Sequence, residues 1–225
     1  MHNWIGIVIS FLFVFGVLGV AQALLALKFV APPISRKLVH IGVSHWWLIA
    51  LPLFDSVAFA LVGPVAFIVL NAVSIRTELF AAMEAPKEPG KPFNLGTVYF
   101  PVSLLALVLI TFLTDVPTWI GGLGILILGW GDGMAAIVGM TGNTRHFTVF
   151  RQRKSVRGSL AMFSFSFLVS LIYCYIHLPI STGEIVLAAA ATAAVATFVE
   201  ASTPLGLDNL TVPILTSLFF YGVFL

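Results

Sequence analysis

Charge is scarce in this sequence. Asp, Glu, Lys and Arg make up 9 % of its 225 residues, against 60 % hydrophobic residues. A soluble domain of this length has no core large enough to hide so much apolar surface, so the composition points to a polytopic integral membrane protein. Cysteine is nearly absent. Cys174 stands alone, which excludes an internal disulfide and any cysteine-based metal cluster, and its apolar surroundings make it a small packing residue. No Gly-x-x-x-x-Gly-Lys-[Ser/Thr] loop occurs, and Gly129-Trp130-Gly131 does not belong to a Rossmann unit, so a nucleotide would be bound without those devices. There is no internal repeat or low-complexity tract. The nearest to one is the run Ala188 to Ala194, a small-residue face suited to close helix packing. No Lys or Arg precedes the first apolar stretch, Trp4 to Leu27, which is longer than the ~7–15 residues of a signal-peptide core. Although Ala21-Gln22-Ala23 imitates a cleavage site, the stretch reads as a first transmembrane helix.

What is present is a series of long apolar runs. At ~1.5 Å per residue a spanning helix takes ~17–25 of them. The pattern predicts one all-α membrane domain over residues 1–225, a bundle of about eight helices. The spans are Trp4–Leu27, Leu38–Phe54, Ser56–Ile75, Thr97–Thr114, Thr118–Met140, Gly158–His177, Gly183–Glu200 and Asn209–Leu225. In this arrangement all eleven Lys and Arg residues fall in or beside loops one, three and five, and the opposite loops carry only Asp55, Asp115 and Glu184 as charges. The positive-inside rule then predicts odd loops in the cytoplasm and both termini outside. Loop seven, with Ser202, Thr203 and Asp208, falls on the same cytoplasmic side.

The polar residues inside this pattern carry the chemistry. Asp132 sits in Gly129-Trp130-Gly131-Asp132-Gly133, between the apolar runs Ile125–Leu128 and Met134–Val138. An acid at such a place costs roughly 2.5–3.5 kcal/mol on insertion scales, which makes it a functional-site candidate. The bland readings are a partner for an intrahelical cation or a cap at a helix break. The glycines permit close approach and a local break in the fifth helix. A length of ~12–15 Å of intact helix separates Asp132 from the cytoplasmic end, a depth that suits a hydrated cleft.

In Pro32-Pro33-Ile34-Ser35-Arg36-Lys37-Leu38-Val39-His40 the prolines stop the first helix, Ser35 is a candidate cap for the second, and Arg36 and His40 lie i, i+4 on one side. Cations at a helix start oppose the macrodipole unless an anion visits, although a positive-inside anchor explains Arg36 and Lys37 equally well. His40 is not needed for topology. His45, Trp46 and Trp47 read as packing or lipid-facing. Asn71, within the third span, either bonds a neighbouring helix or lines the site. The Arg76–Gly96 segment, with Lys87, Lys91 and three prolines, reads as a solvated connector.

The loop Arg151-Gln152-Arg153-Lys154-Ser155-Val156-Arg157-Gly158-Ser159 brings lysine, serine and glycine to a helix start, a site for phosphate oxygens. Clustered cations of this kind also bind anionic headgroups. Near the end, Glu200 and Asp208 are placed to join Asp132 at the cytoplasmic half of the bundle, with capping of the last helix the alternative role for Asp208. Carboxylates of this kind suit Mg²⁺, which usually keeps waters and shares substrate phosphates.

Four motifs together carry a resemblance. Arg36-Lys37-x-x-His40, Gly131-Asp132-Gly133-x-Ala135, Lys154-Ser155-x-x-Gly158-Ser159 and Asp208-Asn209-Leu210-Thr211-Val212-Pro213 occur in the order seen in the CTP-dependent lipid kinases. That family includes dolichol, phytol and CTP-dependent diacylglycerol kinases and is similar to phosphatidate cytidylyltransferases. Val199-Glu200 ahead of Asp208-Asn209-Leu210-Thr211 looks closest to phytol kinase. One departure is Arg157, where many relatives have an acidic or small residue. The resemblance implies transfer of the CTP γ-phosphate to a long-chain isoprenoid alcohol. Asp132 and Asp208 would hold Mg²⁺, with Glu200 a further participant, and His40 or a carboxylate would take the alcohol proton. Lys154, Ser155, Gly158, Ser159, Arg36, Lys37 and Asn209 would bind the nucleotide. Within this class the alternatives are a diacylglycerol kinase and a phosphatidate cytidylyltransferase. Outside it stands a transporter with Asp132 in the pathway.

Overall fold

The structure is a computed structural model that describes residues 2–77, 95–142, 144–149 and 152–225. Most of the expected connector between Arg76 and Gly96, with Lys87 and Lys91, lies outside these residues, as does Arg151. Helices α1 (His2–Ala26), α2 (Pro32–Ser44), α3 (Trp46–Ala50), α4 (Val57–Ala60), α5 (Val62–Thr77), α6 (Gly96–Leu113), α7 (Thr118–Leu126) and α8 (Gly133–Gly139) are followed by a short hairpin, β1 (His146–Val149) and β2 (Gln152–Ser155). The chain ends with α9 (Val156–His177), α10 (Thr182–Ser202) and α11 (Asp208–Phe224).

Six helical stretches are long and apolar enough to cross a membrane: His2–Ala26, Val57–Ser74, Gly96–Leu113, Thr118–Gly139, Val156–His177 and Thr182–Ser202. Large side chains on their outer faces, among them Leu12, Leu187 and Phe198, are exposed, as side chains turned to lipid would be. The chain is an integral membrane protein. The other two expected spans are helical but differ from what the sequence pattern suggested. The second begins earlier, at Pro32, because both prolines fit a first helical turn whose N–H groups have no partner in any case. It is divided at His45, where Ser44 Oγ donates to the Ile41 carbonyl and His45 Nδ1 lies 2.9 Å from the same oxygen. The last span is a helix of 17 residues.

The prolines inside spans leave recognisable marks. Pro64 has no N–H for the carbonyl of Ala60, and the helix divides there into α4 and α5. Pro101 likewise leaves the Thr97 carbonyl without its i+4 donor. Asn71 Nδ2, on α5, donates to that oxygen at 2.7 Å. Asn71 thus ties α5 to α6.

The stretch Thr118–Gly139 is the most deeply buried of the six. It is not broken at its glycines as expected. Between α7 and α8 the residues Ile127–Asp132 wind as a π-helix, so the chain continues with one widened turn. The glycines serve close approach instead. A Cβ on Gly129 would lie 2.2 Å from Ser44 Oγ, and one on Gly131 would lie 2.6 Å from Ser166 Oγ, so α2 and α9 press directly on this backbone. Trp46 and Trp47 are buried, and Trp47 Nε1 donates to the Thr118 carbonyl. The alanine face of α10 packs on α9, with Ala188, Ala189, Ala193 and Ala196 fully buried. Cys174 is free and buried in this core.

The basic loop is a β-hairpin rather than irregular chain. His146 pairs with Ser155, Phe147 with Lys154, Thr148 with Arg153 and Val149 with Gln152. The β-branched and aromatic residues of His146-Phe147-Thr148-Val149 suit the extended backbone.

Candidate active site

Asp132 is the last residue of the π-helical stretch, and its side chain is 6 % exposed. Helix α2 crosses beside it and presents one face. Lys37 Nζ donates to Asp132 Oδ2 at 2.6 Å, and His40 Nε2 lies 3.5 Å from the same oxygen. These two residues are three apart on the helix and therefore neighbours on its surface. His40 Nε2 is buried and makes no hydrogen bond among the described residues, and its ring rests against Phe100 at a centroid distance of 4.9 Å. Ser35 does not cap α2. The helix starts three residues before it, and its hydroxyl donates to the Ala21 carbonyl of α1 instead.

The far wall comes from the end of the chain. Glu200 is buried near the end of α10. Two consecutive left-handed residues, Leu205 (φ 59°) and Gly206 (φ 80°), turn the chain so that Asp208, at the start of α11, faces back toward Glu200. Such a conformation is uncommon for a leucine, and here it places a carboxylate. Asp208 does not cap α11 across a turn; its Oδ1 accepts from the adjacent Asn209 N–H and amide. Lys154, near the end of β2, pairs with Glu200 and lies 3.9 Å from Asp208 Oδ2. Burial works to lower the pKa of Lys154, but Glu200, with Asp208 and Asp132 behind it, outweighs burial and holds the ammonium above its ordinary range.

Oxygens of Asp132, Glu200 and Asp208 lie within 4.8 Å of one another. At an effective dielectric of ~20, two charges that far apart repel by roughly 3.5 kcal/mol, so three ionised carboxylates need cations nearby. Lys37 and Lys154 supply two, and Arg153 lines the same cleft. An all-oxygen donor set of three carboxylates fits a hard divalent cation such as Mg²⁺.

These groups line a cleft of about 300 Å³. Its other wall is the start of α9, where Ser155 Oγ accepts from the Gly158 N–H at 3.0 Å and caps the helix. A Cβ on Gly158 would lie 2.9 Å from that oxygen and 3.0 Å from the Ala135 carbonyl, so α9 reaches α8 only because this residue has no side chain. Ser159 also faces the cleft, as do His146 and Arg153 of the hairpin. A second cavity, of about 230 Å³, lies between α1, α2, α5 and α6. Lys37 and Asp208 line both, whereas Arg36, His40 and Asn209 line only the second.

The chain is 30 % identical over 217 residues to the phytol kinase of Synechocystis sp., an overlap of 94 % of this chain and 88 % of that protein. It belongs to the phytol kinase family. A probable chloroplastic phytol kinase of Triticum aestivum is 30 % identical over 222 residues, covering 90 % of this chain and 71 % of that protein. Phytol kinase 1 of Arabidopsis thaliana is 30 % identical over 204 residues, covering 84 % and 66 %. No family model matches the chain. No solved structure matches it.

Within this member of the phytol kinase family, the expected site residues fall into two groups. Asp132, Glu200 and Asp208 meet, and Lys37, Lys154, Ser155, Gly158 and Ser159 surround them. Arg36 and Asn209 do not join that cleft. Arg36 belongs to the second cavity, and Asn209 spends its amide on the Gly206 carbonyl and Asp208. Arg157 is turned away too, donating to the Thr141 carbonyl at 3.1 Å. The sequence reading did not single out His146. The signal was the strand-like run before the basic segment, which pairs it across the hairpin with Ser155.

Proposed function

We propose that this protein transfers the γ-phosphate of CTP to a long-chain isoprenoid alcohol at the cytoplasmic face of the membrane. The observation that carries the reading is the convergence of Asp132, Glu200 and Asp208 within 4.8 Å, beside two lysines and a capped helix start in one cleft. The names of the curated relatives support an isoprenoid alcohol kinase. CTP as donor rests on the motif resemblance, and the cytoplasmic face on the distribution of Lys and Arg, which also leaves both termini outside.

Phosphoryl transfer asks the protein for positioning and charge neutralisation more than covalent participation. Lys37 and Lys154 act on phosphate oxygens as point charges, and the Ser159 hydroxyl, which faces the same cleft, adds a donor. Asp132 and Asp208, with Glu200 beside them, hold Mg²⁺. Bound there, Mg²⁺ supplies charge neutralisation for the phosphates. The alcohol oxygen forms a bond to the γ-phosphorus as the bond from phosphorus to the β–γ bridging oxygen breaks. CDP leaves, and the hydroxyl proton goes to His40 Nε2.

The test is product analysis with purified protein in vesicles, labelled CTP and a panel of lipid alcohols. CDP and a lipid monophosphate in equal amounts are the expected products. Pyrophosphate with a CDP-lipid would replace this reading with a cytidylyltransferase. Solute transport without nucleotide consumption would replace it with a transporter.

A further inference from the structure

The second cavity changes character along its length. On α2 the lining residues run from Arg36, Lys37 and His40 to Val43, with Trp46 beyond them on α3, and His40 to Trp46 spans roughly 9 Å at ~1.5 Å per residue. Helix α6 follows the same order, from Gly96 and Thr97 to Leu104, and α5 runs against it from Asn71 back to Gly63. One end therefore carries cations, a histidine and Asp208, and the other is apolar. Asn71 Nδ2 is committed to the Thr97 carbonyl, and among the described residues His40 Nε2 is a buried polar atom at the charged end that makes no hydrogen bond.

We propose that this cavity binds the hydroxyl-bearing end of a single isoprenoid chain, with the hydroxyl at His40 Nε2 and the first isoprene units between Val14, Leu18, Phe67 and Leu104. The proposal rests on the kinase reading above and assigns the acceptor its place. Three observations converge on it. His40 Nε2, without a hydrogen bond among the described residues and 3.5 Å from Asp132 Oδ2, offers a hydroxyl a polar contact that a hydrocarbon cannot make. Lys37 and Asp208 form a wall shared with the carboxylate cleft, so a hydroxyl at this end lies next to the phosphate-binding lysine and the acid cluster. The volume, about 230 Å³, is below the ~300–1,000 Å³ of common small-molecule pockets, which suits the hydroxyl-bearing part of one chain rather than its whole length. The remainder of the chain stays in the bilayer.

The test combines labelling with a filling substitution, on full-length protein in lipid nanodiscs. A phytol analogue with a diazirine close to its hydroxyl end should form adducts on peptides containing Val43 and Leu104. Excess phytol should suppress them, and diacylglycerol should not. Gly63→Leu fills the apolar end. A Cβ there meets Trp46 Cζ2 at 3.4 Å, an ordinary contact, so the leucine side chain starts without a clash, and retained KM for CTP checks that the variant is folded. It should raise KM for phytol about 10-fold while leaving KM for CTP, and turnover of the short alcohol prenol, within about twofold. Val69→Leu, on the exposed face of α5, is the control and should change neither. Adducts confined to outward-facing residues, protection by diacylglycerol equal to that by phytol, or an unchanged phytol KM in Gly63→Leu would overturn the proposal. Phytol-suppressible adducts in the cavity of a protein that phosphorylates no alcohol would keep the binding site and remove the kinase reading.

Discussion

Replacing Lys37 with methionine is the sharpest test of how Asp132 is held. The substitution keeps most of the apolar stem and removes the donor 2.6 Å from Asp132 Oδ2, leaving the acid with His40 at 3.5 Å. A unit pair at that shorter distance attracts by roughly 6 kcal/mol at an effective dielectric of ~20, before desolvation of both groups is subtracted. Breaking a fully buried pair by removing one partner costs about 3–5 kcal/mol. The Lys37 side chain is 20 % exposed, so the lower end applies, about 3 kcal/mol. Asp132→Asn is milder, about 1 kcal/mol, because the amide oxygen still accepts and the freed lysine can turn toward solvent. Combining the two removes the orphaned charge, so the double variant should be about 2 kcal/mol less destabilised than the sum of the singles. Unfolding of each variant in mixed micelles by titration with SDS measures all four corners of this cycle. Additivity within about 0.5 kcal/mol would mean that the pair carries no coupling and that Lys37 is a topological anchor only.

Asp132→Asn should insert and fold but lose Mg²⁺-dependent turnover, read from lipid phosphate formed across a Mg²⁺ titration, and Asp208→Asn should behave alike; near-normal activity at saturating Mg²⁺ would make either residue structural. Lys154→Ala should raise KM for CTP or lower kcat while leaving insertion intact, whereas Arg145→Ala, exposed and outside the cleft, should have a smaller effect; equal losses reproduced by added salt would point to a diffuse basic patch. Single cysteines at Thr144 and Ser181, on a Cys174→Ala background, should react with impermeant maleimide from opposite membrane faces; reaction from one face would refute the topology.

Which parts of this molecule could be read in its sequence follows from the range of the interactions involved. The apolar runs are local, and six of them recur as helices long and apolar enough to cross a membrane. Asp132 was identifiable because an acid near a membrane core needs a reason, even without knowing what it faces, and Glu200 and Asp208 because the predicted topology puts them at the same cytoplasmic half of the bundle. Their meeting depends on Leu205 and Gly206 turning α10 into α11, and a left-handed leucine has no sequence signature. The partner of Asp132 was harder still. Helical spacing allowed Arg36 with His40 or Lys37 with His40, and the choice was fixed by where α2 crosses the π-helical turn. That crossing is set by Ser44 pressed on Gly129, a contact between residues far apart in the chain.

The prolines connect that fold to the proposed chemistry. Pro101 removes one N–H from α6, Asn71 of α5 answers the freed Thr97 carbonyl, and the two helices become fixed to each other at the polar end of the second cavity. Of the two roles its sequence position allowed, bonding a neighbouring helix or lining the site, Asn71 Nδ2 fills the first. On the opposite wall, the widened turn that ends at Asp132 brings this acid to Lys37 and His40 without a break in the central helix. A hydroxyl at His40 and a phosphate at Lys37 would approach each other from different cavities while α2 alone controls the separation of the two side chains. The spacing of three residues between Lys37 and His40 therefore matters more than either residue type alone. Moving the histidine one position, as in His40→Leu combined with Ile41→His, should abolish turnover even though composition and charge are unchanged to within one methylene arrangement, while binding of CTP to the carboxylate cleft remains.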